Sequence, residues 1–505
     1  MKRLNTSTII YGLALLKLAV HLLTMHNYGL HRDAFLYYSL GENLDWGFVS
    51  VPPFIGLISW VSTSIFGNTI FALRIFPALI GALSVVVIGK LVVELKGGKL
   101  AVWIACLAFL LSPAFMRSNS LFQPVSFNQF SWLLSAYFLV RMVHIGNPKA
   151  WFPVMITWGL AFQNKYSITF VILATLIALL LTEHRKLFYS KYFVFAGFVG
   201  IGIILPNILW QYAHQWPVIH HMSELQRTQF ANVTVPGFLI DQIVMNFPGV
   251  FVWLSGLLFF LFRKEFKAYR FLAYIFLGTI LILILFSGKG YYSLGLYSIL
   301  FAMGAVAIEK YYKKWMLYVN FGWMLVFFAL MVPLSLPLLS YEKVEAYSKP
   351  MADVVNRWED GEVYAIPQDF ADMTGWEELA ELVIDLYQQV DEDQRQVLHV
   401  YGENYGHAGA IRFYGKKYGI YTVVCFNDNF VLWAPDSIEK APMIYVNHEV
   451  GDLDELYENV ELFGEVNDRY FRENGLKVYY CTEPTDLLQP FYAEKVAEIK
   501  SRYKR

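Results

Sequence analysis

The first 340 residues are dominated by apolar stretches of about the length of a membrane-crossing helix, and a polar remainder follows them. Hydrocarbon about 30 Å thick takes roughly 20 apolar residues per helix. Eleven stretches meet or approach that length: Thr8–Met25, Ile70–Leu95, Leu100–Met116, Ser126–Arg141, Trp151–Phe162, Tyr166–Leu181, Tyr192–Tyr212, Phe238–Phe262, Phe271–Ser287, Ser293–Ile308 and Met316–Ser340. The two flanking Asn164-Lys165 also read as one broken helix. Of 41 acidic residues, 9 precede residue 341 and 32 follow it, so the first two-thirds is too poor in charge to cover a water-facing surface. At 56% hydrophobic and 16% charged, the chain departs from soluble proteins, which run about 45–50% apolar and about 25% charged. The net charge of −1 gives no reason to expect nucleic acid as a partner. The chain reads as a polytopic α-helical membrane protein with about 11 transmembrane helices and a C-terminal soluble domain.

Loop charges set the expected orientation. Loops on the N-terminal side hold 16 Lys and Arg, among them Lys2, Arg3, Arg185, Lys186 and Arg263. The opposite side, tail excluded, holds six: Arg32, Arg74, Arg117, Lys165, Arg227 and Lys289. That bias places the N-terminus in the cytoplasm and the tail outside. The first span lacks a cleavage site of small residues and reads as an anchor. The outer loops 26–69 and 213–237 are long. The first carries an amphipathic segment opened by Asp33, then Pro52-Pro53 and the apolar run Ile55–Phe66, read as helices lying on the membrane surface. Were Phe54–Phe66 itself a span, every later loop would oppose the charge rule.

Residues 341–505 change character. Helical stretches (Met351–Trp358, Trp376–Leu386) alternate with β-type runs at Gln396–Tyr401, Tyr421–Cys425, Met443–Val446 and Lys477–Tyr480, which predicts a small α/β domain ending in the basic segment Lys500–Arg505. Cys425 and Cys481 stand near strand ends, and both a disulfide and two buried thiols fit; Cys106 lies in a span.

Charges at the membrane face are costly and ask for a reason. The outer acids before the tail are Asp33, Glu42, Asp45, Glu224 and Asp241. Asp33 leads because it opens a helix where the chain leaves the lipid, although on position alone a first-turn carboxylate favoured by the macrodipole is the better explanation. Lys165 sits in a polar break, Lys289 between glycines, and Arg117 in Met116-Arg-Ser-Asn. Each reads as a snorkelling interfacial cation or as a phosphate ligand, for which a guanidinium is well shaped. Lys17, in mid-span, reads as helix-packing glue. His220-His221 is weak evidence for a metal.

The order of these pieces resembles a known family. Asp33 opens a surface helix after one span, and Leu44-Asp-Trp-Gly-Phe, Pro52-Pro53, Phe71-Ala-Leu-Arg-Ile-Phe-Pro and Asn164-Lys-Tyr follow. Then come Pro206 with Trp210, Lys289-Gly-Tyr-Tyr with Tyr297, and Glu403-Asn-Tyr-Gly-His-Ala-Gly-Ala with Trp433. Together they resemble the bacterial membrane glycosyltransferases of family 39, the protein-mannosyltransferase-like superfamily related to the aminoarabinose transferases of lipid A. The resemblance implies a GT-C fold and a bacterial inner-membrane location. It implies an undecaprenyl- or other polyprenyl-phosphate sugar donor and a lipid, glycan or protein acceptor on the outer face. It also implies Asp33 as the catalytic acid, with Lys165 and Lys289 on the donor phosphate. Many relatives read Asp-His-Pro-Pro where this chain has Ser50-Val51-Pro-Pro, so a second acid at the site is in doubt.

The expected chemistry is a hexosyl or pentosyl transfer by inverting displacement, with Asp33 orienting or deprotonating the acceptor. Lys165, Lys289 and Arg117 balance charge on the departing phosphate. Tyr37, Tyr38, Trp46, Tyr291 and Tyr292 line the substrate or belong to the interfacial aromatic belt. No cofactor is expected, and a divalent metal stays open. A lipid-linked-sugar flippase or transporter is the alternative reading, though it would place paired ionisable groups at mid-membrane; a sensor scaffold needs far fewer spans.

Overall fold

The computed structural model describes residues 5–228 and 230–503, so Lys2, Arg3, Lys504 and Arg505 lie outside the described residues. The chain forms two compact units. One comprises Met1–Met25, Arg74–Asn207 and Leu225–Leu339; the other comprises His26–Leu73, Ile208–Glu224 and Ser340–Arg505.

In the first unit every expected apolar stretch is helical, but breaks divide several of them. Leu111-Ser112 separates Lys99–Leu110 from Pro113–Ser118, since Pro113 has no N–H to continue the ladder and restrains the residue before it. Residues 245–249, which include Pro248 and Gly249, separate Val235–Val244 from Val250–Phe262, and the polar turn at 163–167 separates Trp151–Phe162 from Ile168–Leu180. Helices of 12 and 13 residues rise only about 18–20 Å. As a result, among the described residues six helices have the length and apolarity to cross a membrane: Thr6–Thr24, Ile70–Glu94, Lys191–Ala213, Lys264–Leu285, Gly290–Tyr311 and Lys314–Leu334. The count becomes seven if Ile168–Leu180 and Glu183–Tyr189, bent by 110°, are one span. The expected figure of about 11 therefore counts apolar segments rather than helices that each suffice alone. The core of this unit is the helix Leu294–Tyr311, buried at every position from Leu294 to Ile308 and packed on Val250–Phe262 and Lys99–Leu110. Lys17 is wholly buried, with its ammonium donating to the Phe115 carbonyl at 3.0 Å.

The second unit holds a four-stranded sheet: β1 (His399–Gly402), β2 (Met443–Asn447), β3 (Tyr457–Glu465) and β4 (Lys477–Pro484), in the order β1-β2-β4-β3. β1 and β2 are parallel, with His399 opposite Met443, and the other pairs are antiparallel. Of the Tyr421–Cys425 run, Val424 bridges Tyr401 in parallel. β3 was not expected: it is an edge strand whose acidic residues Glu458, Glu461 and Glu465 mask the apolar alternation. Residues 26–73 belong to this unit. The helix Arg32–Glu42 packs between Phe54–Phe66 and Tyr405–Gly415, Phe35 meets Trp376 and Phe413 at 5.8 Å, and Glu42 pairs with Lys416 at 2.7 Å. A Cβ on Gly409 would fall 2.8 Å from the Phe35 backbone, so glycine permits this crossing. All three cysteines are buried free thiols.

Candidate active site

Asp33 stands in the first turn of the Arg32–Glu42 helix, where the macrodipole favours an anion. His31 caps that helix, its Nδ1 accepting the Asp33 N–H at 3.1 Å. From the far end of the sequence, the hydroxyl of Tyr405 donates to Asp33 Oδ1 at 2.9 Å. The Arg32 guanidinium lies over the Tyr405 ring, 4.6 Å from its centroid. Burial, reinforced by the Asp33 charge, pushes the phenol of Tyr405 well above its ordinary pKa, so it remains a donor.

Beneath Asp33 lies a second layer of charge drawn from the C-terminal domain. His31 Nε2 is 3.5 Å from Asp372 and 3.8 Å from Asp369. Burial works against a charged His31 ring, but contact with Asp369 and the charges of Asp33 and Asp372 outweigh it and raise the pKa to about 9. The Nδ1 cap belongs to the neutral ring, so protonation keeps the carboxylates and gives up the cap; three nearby charges outweigh one neutral hydrogen bond. Arg472 bridges Asp372 at 3.2 Å and Glu359 at 2.9 Å. The side chain of Asp372 is 2% exposed and that of Asp33 29%. Asp33 is therefore the acid of this pair that a substrate can reach, while Asp372 serves the packing.

Tyr405 is itself held by its neighbours. Asn404 accepts the N–H groups of Gly406 and His407, at 2.8 and 3.2 Å, and so caps the helix Tyr405–Gly415. Asn404 also donates to Glu473 at 3.1 Å, and His407 meets Glu473 at 2.5 Å. Burial alone would raise Glu473, but the bond with His407 and its charge outweigh that and bring the carboxyl down to about 2. Asp428 is a further acid in this unit: burial pushes its pKa up while His221 pulls it the other way. Ser50-Val51-Pro-Pro supplies no second acid beside Asp33, but the C-terminal domain contributes Asp369, Asp372 and Asp428, which no local motif announces.

Other expected site residues in this unit differ in environment. Tyr37 and Tyr38 are buried. The Tyr38 hydroxyl accepts from Asn68 at 2.8 Å, and its ring packs on Phe413. Trp46 is exposed, and its backbone N–H donates to Asp45, whose other oxygen accepts from Trp210 at 2.7 Å.

In the first unit, Lys165 and the Lys289-Gly-Tyr-Tyr segment come together. The Lys165 ammonium sits 4.6 Å from the Tyr292 ring centroid and 5.4 Å from that of Tyr291, a cation–π arrangement. The Lys165 turn is fixed by Asn164, which donates to the Pro124 carbonyl at 2.9 Å. The Gly290 turn is fixed by Gln242, which donates to the Gly290 carbonyl at 3.3 Å and accepts from the hydroxyls of Ser293 and Tyr297. At Gly290 a Cβ would run into Asp241, so this turn needs glycine. Arg117 is held by the Leu334 carbonyl. Among the described residues, no group of three or more His, Cys, Asp or Glu is arranged to hold a metal ion.

Residues 50–210 match the family described as dolichyl-phosphate-mannose-protein mannosyltransferase. The lipid A galacturonosyltransferase RgtD of Rhizobium johnstonii is 26% identical over 197 residues, which is 38% of this chain and 41% of that protein. The match thus spans well under half of that relative. ArnT from Cupriavidus metallidurans superposes with a TM-score of 0.61 in its undecaprenyl phosphate complex and 0.60 in the apo state. Both alignments have 15% identity and cover 94% of this chain and 97% of ArnT. At that identity the likeness is one of fold, and the fold is GT-C.

Proposed function

We propose that this chain, a relative of the GT-C glycosyltransferases that modify lipid A, moves a hexosyl or pentosyl group from a polyprenyl phosphate to an extracytoplasmic acceptor. The observation that supports the reading is Asp33, a partly exposed carboxylate oriented by the hydroxyl of Tyr405 and backed by the buried His31 and Asp372. An acceptor hydroxyl or phosphate oxygen attacks the anomeric carbon as the bond from that carbon to the phosphate oxygen breaks. The product is inverted and polyprenyl phosphate departs with the bonding pair. Asp33 orients the acceptor and receives its proton when it is a hydroxyl, and water then takes that proton. Lys165, Lys289 and Arg117 offer positive charge to the leaving phosphate. Tyr291 and Tyr292 keep the Lys165 ammonium in a fixed direction.

The undecaprenyl phosphate bound to ArnT supports a polyprenyl-phosphate donor, and the lipid A activity of RgtD supports a glycolipid acceptor over a glycan or protein. The loop charges support a multi-pass protein of the bacterial inner membrane, with the N-terminus in the cytoplasm and the C-terminal domain outside. The test is release of polyprenyl phosphate from a labelled lipid-linked sugar by the purified protein, coupled one-to-one to sugar appearing on acceptor. Movement of the intact lipid-linked sugar across vesicles without its cleavage would favour the flippase reading instead.

A further inference from the structure

We infer that a crevice in the C-terminal domain, at the carboxyl ends of β1 and the Val424 segment, is the subsite that holds the acceptor's saccharide. This rests on the transfer reading above. Val424 lies parallel to β1: its N–H donates to the Val400 carbonyl at 2.8 Å, and its carbonyl accepts from Gly402 at 3.0 Å. On its other side β1 pairs in parallel with β2. The chain leaves β1 through the helix Tyr405–Gly415 to reach Val424, then passes through Phe430–Trp433 to β2, on the opposite side of β1. A pocket opens at the carboxyl ends of β1 and the Val424 segment, the end of parallel strands at which ligands bind in open α/β sheets.

The pocket found there is lined by Tyr401, Glu403, Phe426, Asn427, Lys495 and Ile499. The first two come from the end of β1, the next two follow Val424, and the last two project from Leu488–Lys500. The aromatic wall is braced from behind: Tyr401 stacks on Tyr445 at 5.2 Å, and Phe426 meets Tyr401 at 5.7 Å and Tyr492 at 5.5 Å. Tyr401 also donates to Glu403 at 3.2 Å, which turns the carboxylate. A carboxylate and a carboxamide beside an aromatic face match a sugar ring, whose paired hydroxyls bond the polar groups while its C–H face lies on the aromatic. Lys495 suits an acidic substituent on that sugar, and the presence of Glu403 disfavours a polyanion such as a nucleotide.

The crevice is also tied to the acid. Asn427 Oδ1 accepts the backbone N–H of Tyr405 at 3.3 Å, and the hydroxyl of Tyr405 donates to Asp33. One residue thus joins the pocket wall to the carboxylate that serves the acceptor.

The experiment uses the full-length protein, a labelled polyprenyl-phosphate sugar, and the chloroform–methanol extract of the source cell envelope as acceptor. The competitor is the water-soluble saccharide freed from that extract by mild acid. Glu403→Gln, which weakens the polar grip on the sugar, and Phe426→Ala, which removes its aromatic face, are each expected to raise the half-saturating acceptor by about tenfold, to leave donor half-saturation unchanged, and to blunt competition by the free saccharide. Folded variants with wild-type acceptor saturation, or with donor and acceptor affected alike, would overturn the subsite while the transfer reading stands. Turnover persisting in Asp33→Asn would count against the transfer reading's assignment of Asp33. Absence of transfer by the wild-type protein would remove both.

Discussion

The hydroxyl of Tyr405 donates to Oδ1 of Asp33 at 2.9 Å, joining residues 372 positions apart in sequence. A hydrogen bond to a charged group contributes about 1.5–3 kcal/mol, and each 1.36 kcal/mol of barrier is about tenfold in rate. Tyr405→Phe is therefore expected to lower kcat by about ten- to a hundredfold with donor half-saturation unaltered. Asp33→Asn should abolish transfer in a protein that still inserts and folds. Steady-state kinetics on both variants check this; a rise in donor KM with normal kcat in Tyr405→Phe would mean that the hydrogen bond does not serve the acid.

Lys165 faces the rings of Tyr291 and Tyr292, and a fixed cation next to a leaving phosphate strengthens as charge develops there. Lys165→Ala and Lys289→Ala are expected to raise donor half-saturation and to slow polyprenyl phosphate release, with Lys165→Arg less impaired because it retains the charge. Titrating donor at saturating acceptor measures this. Wild-type donor dependence in both alanine variants would end the phosphate role.

Glu473 gives a signed dependence on pH. Its carboxyl titrates near 2 in the folded protein against roughly 4.3 in an unfolded chain. The pair with His407 therefore contributes stability that is present above roughly pH 4.3 and is lost as pH falls through about 2, in total about 3 kcal/mol. Acid unfolding in detergent, followed by tryptophan fluorescence, should fall less steeply across that window in Glu473→Gln. Equal slopes in the two proteins would show that the pair is not formed.

Gly409 lets the Tyr405–Gly415 helix approach Phe35 closely. Gly409→Val puts side-chain atoms into the Phe35 backbone and is expected to cost about 1–3 kcal/mol of stability. Because Tyr405 and Asp33 sit on the two helices concerned, transfer should fall as well. Thermal unfolding and activity of the same preparation test this together, and a variant as stable as wild type would refute the close crossing.

The sequence alone determined that the apolar stretches before residue 341 are helical and that strands appear only after it, because apolar runs and alternating patterns are written in neighbouring residues. Asp33, Lys165 and Lys289 stand out in the sequence for the same reason, as scarce charges beside long apolar stretches. Tertiary structure alone decided what holds Asp33. Tyr405, Asp372 and Arg472 come from the far end of the chain, and their convergence depends on a glycine that admits a helix crossing and on which rings fill the gap around Phe35. It also decided that residues 26–73 pack with the C-terminal domain, and that Tyr38 lies in a core rather than at an open surface. Local composition fixes what a segment is; only packing between distant segments fixes which groups come within hydrogen-bonding distance.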